Sequence, residues 1–309
     1  MSPEKSRTTS QEESVFIYDR ELGEVRPEKV YGGWALRFFY GSSIGRFCAW
    51  ALFKRRCFSR FYGWLQRRSW GSRKRIEDFI ASYGIDTSEC EKPISDYPTF
   101  DAFFTRRLRP AARPIDGSAG VVVFGAEGRV LVYPDLESDR LVPVKGRSFR
   151  VADLVGCEEM AARYEGGSVV VIRLSPADYH RFHFPESGRC SAVRRIGGAL
   201  HSVTPISLAA GSDVFGGNER HVASLSTETV GEVLLVEVGA MLVGRILQSY
   251  ESEVPVQRGE EKGWFAFGGS TVVYIFEPGR IRLDADLIEQ TGLGRETLVR
   301  LGTPMGKIL

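Results

Sequence analysis

From about residue 117 to its end this chain is written in short, valine-rich runs broken by glycine, and that rhythm limits the folds open to it. β-Branched side chains are stiff and pack well on a pleated surface, while glycine lets the backbone turn between runs. The pattern predicts strands at 120–124, 129–133, 168–174, 191–196, 221–226, 232–238, 242–247, 264–267, 271–276 and 281–283, with a helix over Val151 to Tyr164 among them. Many short, glycine-punctuated strands predict a sandwich- or barrel-like domain. Upstream, Phe47, Trp50, Ala51 and Lys54, then Phe58, Phe61, Tyr62 and Leu65, recur at three- and four-residue spacing and predict helices within 33–83. Another short helix is expected over Phe100 to Leu108, ended by Pro110 and Pro114. The expected class is α+β: a mainly-β domain over 96–309, preceded by amphipathic helices over 31–95. Residues 1–30 read as a flexible lead-in with one hairpin, Phe16-Ile17-Tyr18 against Glu24-Val25-Arg26.

Composition narrows the function classes. At 309 residues, 43% hydrophobic and 26% charged, the chain has material for a large core and the balance of an ordinary globular protein. No run approaches the roughly 18 apolar residues of a membrane span, and the polar stretch Met1 to Glu13 shows no secretory signal. Five cysteines without a CxxC spacing argue against a disulfide framework or a zinc site, and fit a reducing compartment. Charge is unevenly spread. Tyr31 to Ile76 holds eleven Lys and Arg, no Asp or Glu, and four of the five tryptophans. Arg and Lys meet anionic headgroups while aromatic rings sit at the bilayer interface, so this segment reads as a peripheral patch for an anionic membrane. A helical pair with a solvated basic face is the plainer alternative. No nucleic-acid motif accompanies the patch, so a nucleic-acid partner is not expected.

Three places carry chemistry. His180 and His183 lie three apart after the predicted strand 168–174, where a loop would present them toward a common site; histidine is the side chain best suited to moving protons near neutral pH. Glu127 sits between glycines, an acid available to orient one histidine or simply a solvated turn residue. Gly268-Gly269-Ser270-Thr271 runs into Val272-Val273-Tyr274-Ile275-Phe276. Alone it is a glycine-rich turn with a capping serine; with the histidines and the acid it places Ser270 Oγ to attack the Gly269 carbonyl. A metal is not expected, because neither His201 nor His221 adds a ligand at motif spacing.

From about Tyr18 onward the chain resembles the phosphatidylserine decarboxylases, most of all the bacterial type II subgroup. The blocks are Tyr97-Pro98-Thr99-Phe100-Asp101-Ala102-Phe103-Phe104-Thr105-Arg106 with Arg113-Pro114-Ile115, Asp178-Tyr179-His180-Arg181-Phe182-His183, Leu200-His201-Ser202-Val203, Asn218-Glu219-Arg220, Val238-Gly239-Ala240 and Lys262 to Thr271. The resemblance implies a proenzyme that cuts itself between Gly269 and Ser270 into a β chain (1–269) and an α chain (270–309). Ser270 would become a covalent pyruvoyl group, the family's cofactor, which forms a Schiff base with phosphatidylserine and yields phosphatidylethanolamine. It assigns His183, Ser270 and the acid at 127 to self-cleavage, His180 to decarboxylation and Ser202 to the substrate pocket. It places the protein peripherally on the cytoplasmic face of the membrane and leaves a homodimer open. Two departures stand out. Glu127 occupies a position where the family usually has Asp, and Arg245 one where it generally has Ser. One added methylene at Glu127 raises the alternative of an uncleaved, non-catalytic lipid-binding relative, and an intact Ser270 that of a Ser-His-Glu hydrolase.

Overall fold

The structure is a computed structural model that describes residues 16–28, 71–136, 142–144, 147–198, 216–240, 245–266 and 270–309. Its frame is one large sheet whose central strands are apolar at almost every position. The valine runs of β7 (Ser168–Leu174), β12 (Glu232–Gly239) and β16 (Ser270–Phe276) are buried nearly throughout. Continuous burial of this kind means that both faces of the sheet are covered. Around them lie β4 (Gly128–Tyr133), β9 (Gly188–Cys190), β11 (Arg220–Ser226), β14 (Pro255–Val256) and β18 (Glu296–Val299), in the order β14-β9-β11-β12-β16-β7-β4-β18. β10 (Arg194–Ile196) pairs with β11 to one side. The pairing is antiparallel except where β1 (Phe16–Asp19) joins β18 in parallel and carries β2 (Glu24–Pro27) at the far edge.

Three small sheets complete the frame. They are β13 (Arg245–Gln248), β15 (Glu261–Ala266) and β8 (Arg181–His183); β17 (Ile281–Leu283), β19 (Pro304–Ile308) and β3 (Val121–Val123); and the pair β5 (Val142–Val144) and β6 (Arg147–Phe149). The mainly-β, α+β class expected from the valine rhythm is the one found. Among the described residues no helix is long and apolar enough to cross a membrane.

Several boundaries differ from the sequence expectation, each for a local reason. The helix expected over 151–164 is two, Val151–Val155 and Glu158–Ala162, because Gly156 takes a left-handed cap at φ 63° and Cys157 is extended. The helix beginning at Phe100 stops at Phe104, well before Pro110. Its continuation is drawn out alongside 89–91, where Glu91 N donates to Arg107 O and Arg109 N to Glu89 O. The hairpin at 16–27 is no free lead-in but an edge of the main sheet, and Glu28 just beyond it pairs with Arg129 and Arg173. Nor does the packing divide at 95/96: Ile76 and Cys90 form one small core with Phe100, Phe103 and Phe104. The helix Ser72–Tyr83 belongs to that unit, and the remainder of the expected helical segment, 31–70, lies outside the described residues.

Candidate active site

Strand register gathers the site at one end of the main sheet. Gly239, the last residue of β12, is opposite Ser270, the first of β16, and Ser270 is opposite Leu174, the last of β7. β4 begins beside them, with Arg129 opposite Arg173. Ser270 is fully buried, and its Oγ has no hydrogen-bond partner among the described residues. A buried hydroxyl left in that state is costly for a fold, so its bareness calls for a role.

Glycines bring the segment before β4 onto the same end. A Cβ at Gly125 would lie 2.1 Å from His183 O and 2.5 Å from the Tyr274 hydroxyl; one at Gly128 would lie 2.5 Å from Arg173 O. Only glycine permits the chain to pass this close to two other strands, and His183 N donates to Gly125 O at 2.6 Å. Burial raises the pKa of Tyr274, keeping the phenol protonated.

The histidines were expected in a loop, but His183 ends a strand. β8 pairs with β15, Glu261 opposite His183 and Trp264 opposite Arg181, and β15 leads directly toward residues 267–269 and Ser270. His183 Nδ1–H donates to Gly259 O at 2.9 Å, which leaves the lone pair on Nε2. Nε2 is buried and has no partner among the described residues. Burial also lowers the pKa of His183, so the ring is neutral near pH 7 and able to accept a proton. His180 Nδ1–H donates to Asp178 O at 2.9 Å, and its ring packs on Phe104 with centroids 4.0 Å apart. The Asp178 carboxylate is held by Arg129 and by Ser175 N.

Glu127 is buried and committed elsewhere. Its carboxylate accepts from Arg113 Nε and Nη2 and from Tyr179 N, and Arg113 is anchored in turn by Glu89. The group that orients His183 is thus the Gly259 carbonyl, in place of the expected carboxylate. The reason is electrostatic: a carboxylate this deep needs a cation, and a guanidinium engages both of its oxygens at once. Glu127 still acts on His183 through space, its charge favouring the protonated ring.

Other expected residues fall variously. Gly269 and Ser202 lie outside the described residues, as does the basic aromatic stretch 31–70. Arg245 is exposed at the start of β13, opposite Ala266. Sequence reasoning gave no role to Arg113 or to Asn218, whose Nδ2 donates at 2.8 Å to the carbonyl of Gly239, the residue facing Ser270. Both stand inside recognisable blocks, yet a side chain that holds another residue has no chemical signature of its own. Among the described residues no group of three His, Cys, Asp or Glu is disposed to hold a metal ion.

Comparison with known proteins shows the family to which the chain belongs. The family model for phosphatidylserine decarboxylase matches residues 100–306. A phosphatidylserine decarboxylase proenzyme of Desulfitobacterium hafniense is 41% identical over 293 residues, covering 94% of this chain and 98% of that protein. One from Clostridium perfringens is 40% identical over 94% of this chain and 99% of its own. One from Chlamydia trachomatis is 41% identical over 95% and 97%. Matches that run nearly end to end on both sides, and a family model that spans the site, show that this chain belongs to the phosphatidylserine decarboxylase family.

Proposed function

We propose that the chain is a phosphatidylserine decarboxylase proenzyme that cuts itself between Gly269 and Ser270 and converts phosphatidylserine to phosphatidylethanolamine. The observation that carries this is Ser270 itself: first residue of β16, fully buried, its Oγ without a described partner. Such a group is poised for reaction with its own neighbour, since nothing described ties it down.

In the first step His183 Nε2 takes the Ser270 hydroxyl proton while Oγ attacks the Gly269 carbonyl carbon. The Gly269–Ser270 C–N bond breaks as the protonated His183 gives that proton to the Ser270 nitrogen, and an ester now joins the Gly269 carbonyl to Oγ. Glu127, held beside Arg113, favours the protonated histidine by its charge. Loss of the Ser270 Cα proton then expels the Gly269 carboxylate and leaves dehydroalanine at position 270. Addition of water and release of ammonia yield a pyruvoyl group at the head of residues 270–309. A buried, unencumbered position at a strand head fits such a group. Its carbonyl supplies the electron sink that amino-acid decarboxylation requires. His180, its Nδ1–H fixed on Asp178 O, turns Nε2 to the site, where it takes up a proton and delivers it to the carbon that loses CO2. The α chain stays in place through β16, paired over seven residues with β12 and seven with β7. The basic aromatic segment 31–70 supports a peripheral position on an anionic, cytoplasmic membrane surface, where the substrate resides.

One observation favours a second reading, an uncleaved relative: Glu127 is bound to Arg113 and does not touch His183 Nδ1. Glu127→Asp separates the two. Wild-type protein that purifies already cut supports the enzyme; wild-type protein that stays whole, with only the Asp variant cutting, supports the relative.

A further inference from the structure

Two arginines stand opposite each other near the catalytic end of β4 and β7, an arrangement that repulsion alone would oppose. Arg129 pairs in register with Arg173, and both side chains are largely buried. Glu28, from just beyond the N-terminal hairpin, neutralises the pair. Its Oε1 accepts from Arg129 Nε at 2.7 Å, and both of its oxygens accept from Arg173 Nη2 at 3.0 Å. Arg173 also donates to Glu296 on β18, from Nε at 3.0 Å and from Nη2 at 2.7 Å. Arg129 Nη1 turns instead to a second carboxylate. It donates to both oxygens of Asp178, at 2.6 Å to Oδ1.

Asp178 is the residue whose main chain holds His180. Its carboxylate also accepts from Ser175 N at 2.6 Å, and its N–H donates to Ser175 O at 3.0 Å, so the turn 175–178 is closed by main chain and side chain together. The peptide group that follows is committed at both ends. Its carbonyl, Asp178 O, accepts from His180 Nδ1–H at 2.9 Å, and its N–H, on Tyr179, donates to Glu127 Oε1 at 3.2 Å. A peptide unit is planar, so swinging the carbonyl away from His180 would also swing the N–H away from Glu127. The side chain that Arg129 grips springs from the Cα at one corner of that plane.

We propose that Arg129, seated by Glu28, is a positioning residue for decarboxylation: by fixing Asp178 it holds His180 in one tautomer and aims its Nε2 in one direction. Buried ion pairs add little net stability compared with apolar packing of the same volume, and here the chain of pairs ends on the residue that orients a reactive histidine. His183 does not depend on these contacts, since its own Nδ1–H is held by Gly259 O. Glu28 thereby links the N-terminal hairpin to the decarboxylation step and leaves self-cleavage alone. The inference rests on the decarboxylase reading above, through the role given there to His180.

The test uses the full chain with Arg129→Gln and Glu28→Gln, each alone and combined with His180→Ala. Alone, Arg129→Gln should lower kcat for decarboxylation by about 10- to 100-fold, the scale of an ångström of misplacement, with KM within about twofold and self-cleavage intact. Glu28→Gln should act in the same sense but less, since Arg129 keeps its hold on Asp178. Arg129→Lys, which keeps the charge, should recover part of the lost kcat. In the His180→Ala background the same substitutions should change the residual kcat by less than about twofold, because the group they position is gone. An equal loss in both backgrounds, or loss of self-cleavage, overturns the inference. Should Arg129→Gln fail to accumulate, Glu28→Gln decides, and an unmoved kcat there overturns it. Labelling the four histidines with 15N, and assigning His180 through His180→Ala, reads the tautomer without turnover: Nδ1–H in wild type, a mixture in Arg129→Gln and Glu28→Gln. An Nδ1–H signal unaltered in the variants overturns the inference whatever the activity. An altered signal in a chain that never decarboxylates upholds the hold on His180 and overturns the decarboxylase reading alone.

Discussion

At its first residue β16 carries a buried hydroxyl with no described partner, whereas two residues further on it runs past a buried charge network whose members are paired with one another. There Glu237 lies opposite Val272. Lys262 Nζ donates to Glu237 Oε1 at 2.8 Å and to Gln248 Oε1 at 3.0 Å, and Gln248 Nε2 donates to Glu237 Oε2 at 3.0 Å and approaches His221 Nδ1 at 3.2 Å. Glu237 and Lys262 are each 1% exposed. The buried polar groups that join β12 to β13 and β15 are thus paired with one another, while among the described residues Ser270 Oγ and His183 Nε2 have no partner. The fold pairs the buried polar groups around Glu237, whereas at Ser270 none of the described residues pairs the hydroxyl. The difference sets the strand end that the proposed self-cleavage would use against a region whose paired charges hold strands together.

Substitutions at the two regions should accordingly separate reactivity from stability. The largest effect belongs to Ser270→Ala, which should leave the chain whole and without decarboxylase activity, as read by denaturing gel and by product assay. His183→Ala should also remain whole. His180→Ala should cut normally and lose decarboxylation by about 10²- to 10⁴-fold, the usual range for a general acid or base; exchange of the two histidine phenotypes would mean their roles are reversed. At the paired region Lys262→Met strands the Glu237 charge and should cost about 3–5 kcal/mol in denaturant unfolding. Adding Glu237→Leu should return much of that loss, with cleavage intact throughout.

The smallest effects are in pH. His183 has its pKa lowered by burial, so its neutral form persists below the ordinary imidazole value of about 6.5, and the rate of self-cleavage should hold steady through that pH before falling. His221 is lowered to about 4, chiefly by burial. Its folded pKa lies below its unfolded one, so its contribution to stability is whole above about pH 6.5 and is lost as the pH falls from there toward 4. His221→Gln should flatten that part of the stability profile without altering the pH dependence of cleavage.

How legible all this was depends on whether the signal was local. The runs at 168–174, 232–238 and 271–276 declared themselves, because strands covered on both faces must be apolar at successive positions. β18 and β19 and the helix Ala285–Gly292 did not, since Glu296-Thr297-Leu298-Val299 mixes a buried carboxylate, paired with Arg173, into its strand. Ser270, His180 and His183 were visible as reactive types within recognisable blocks. The acceptor on His183 Nδ1 was not, because it is the main-chain carbonyl of Gly259, and any residue has one. Arg113 could not be ranked above forty other cations until the fold closed it on Glu127.

The central claim is that Ser270 is consumed by the chain that contains it, and the intact mass of freshly purified protein tests it most directly. The account expects two species in place of one 34.4 kDa chain, the smaller spanning residues 270–309 with a ketone where its N-terminal amine would be. A single uncut chain, under native conditions and without decarboxylase activity, would contradict it.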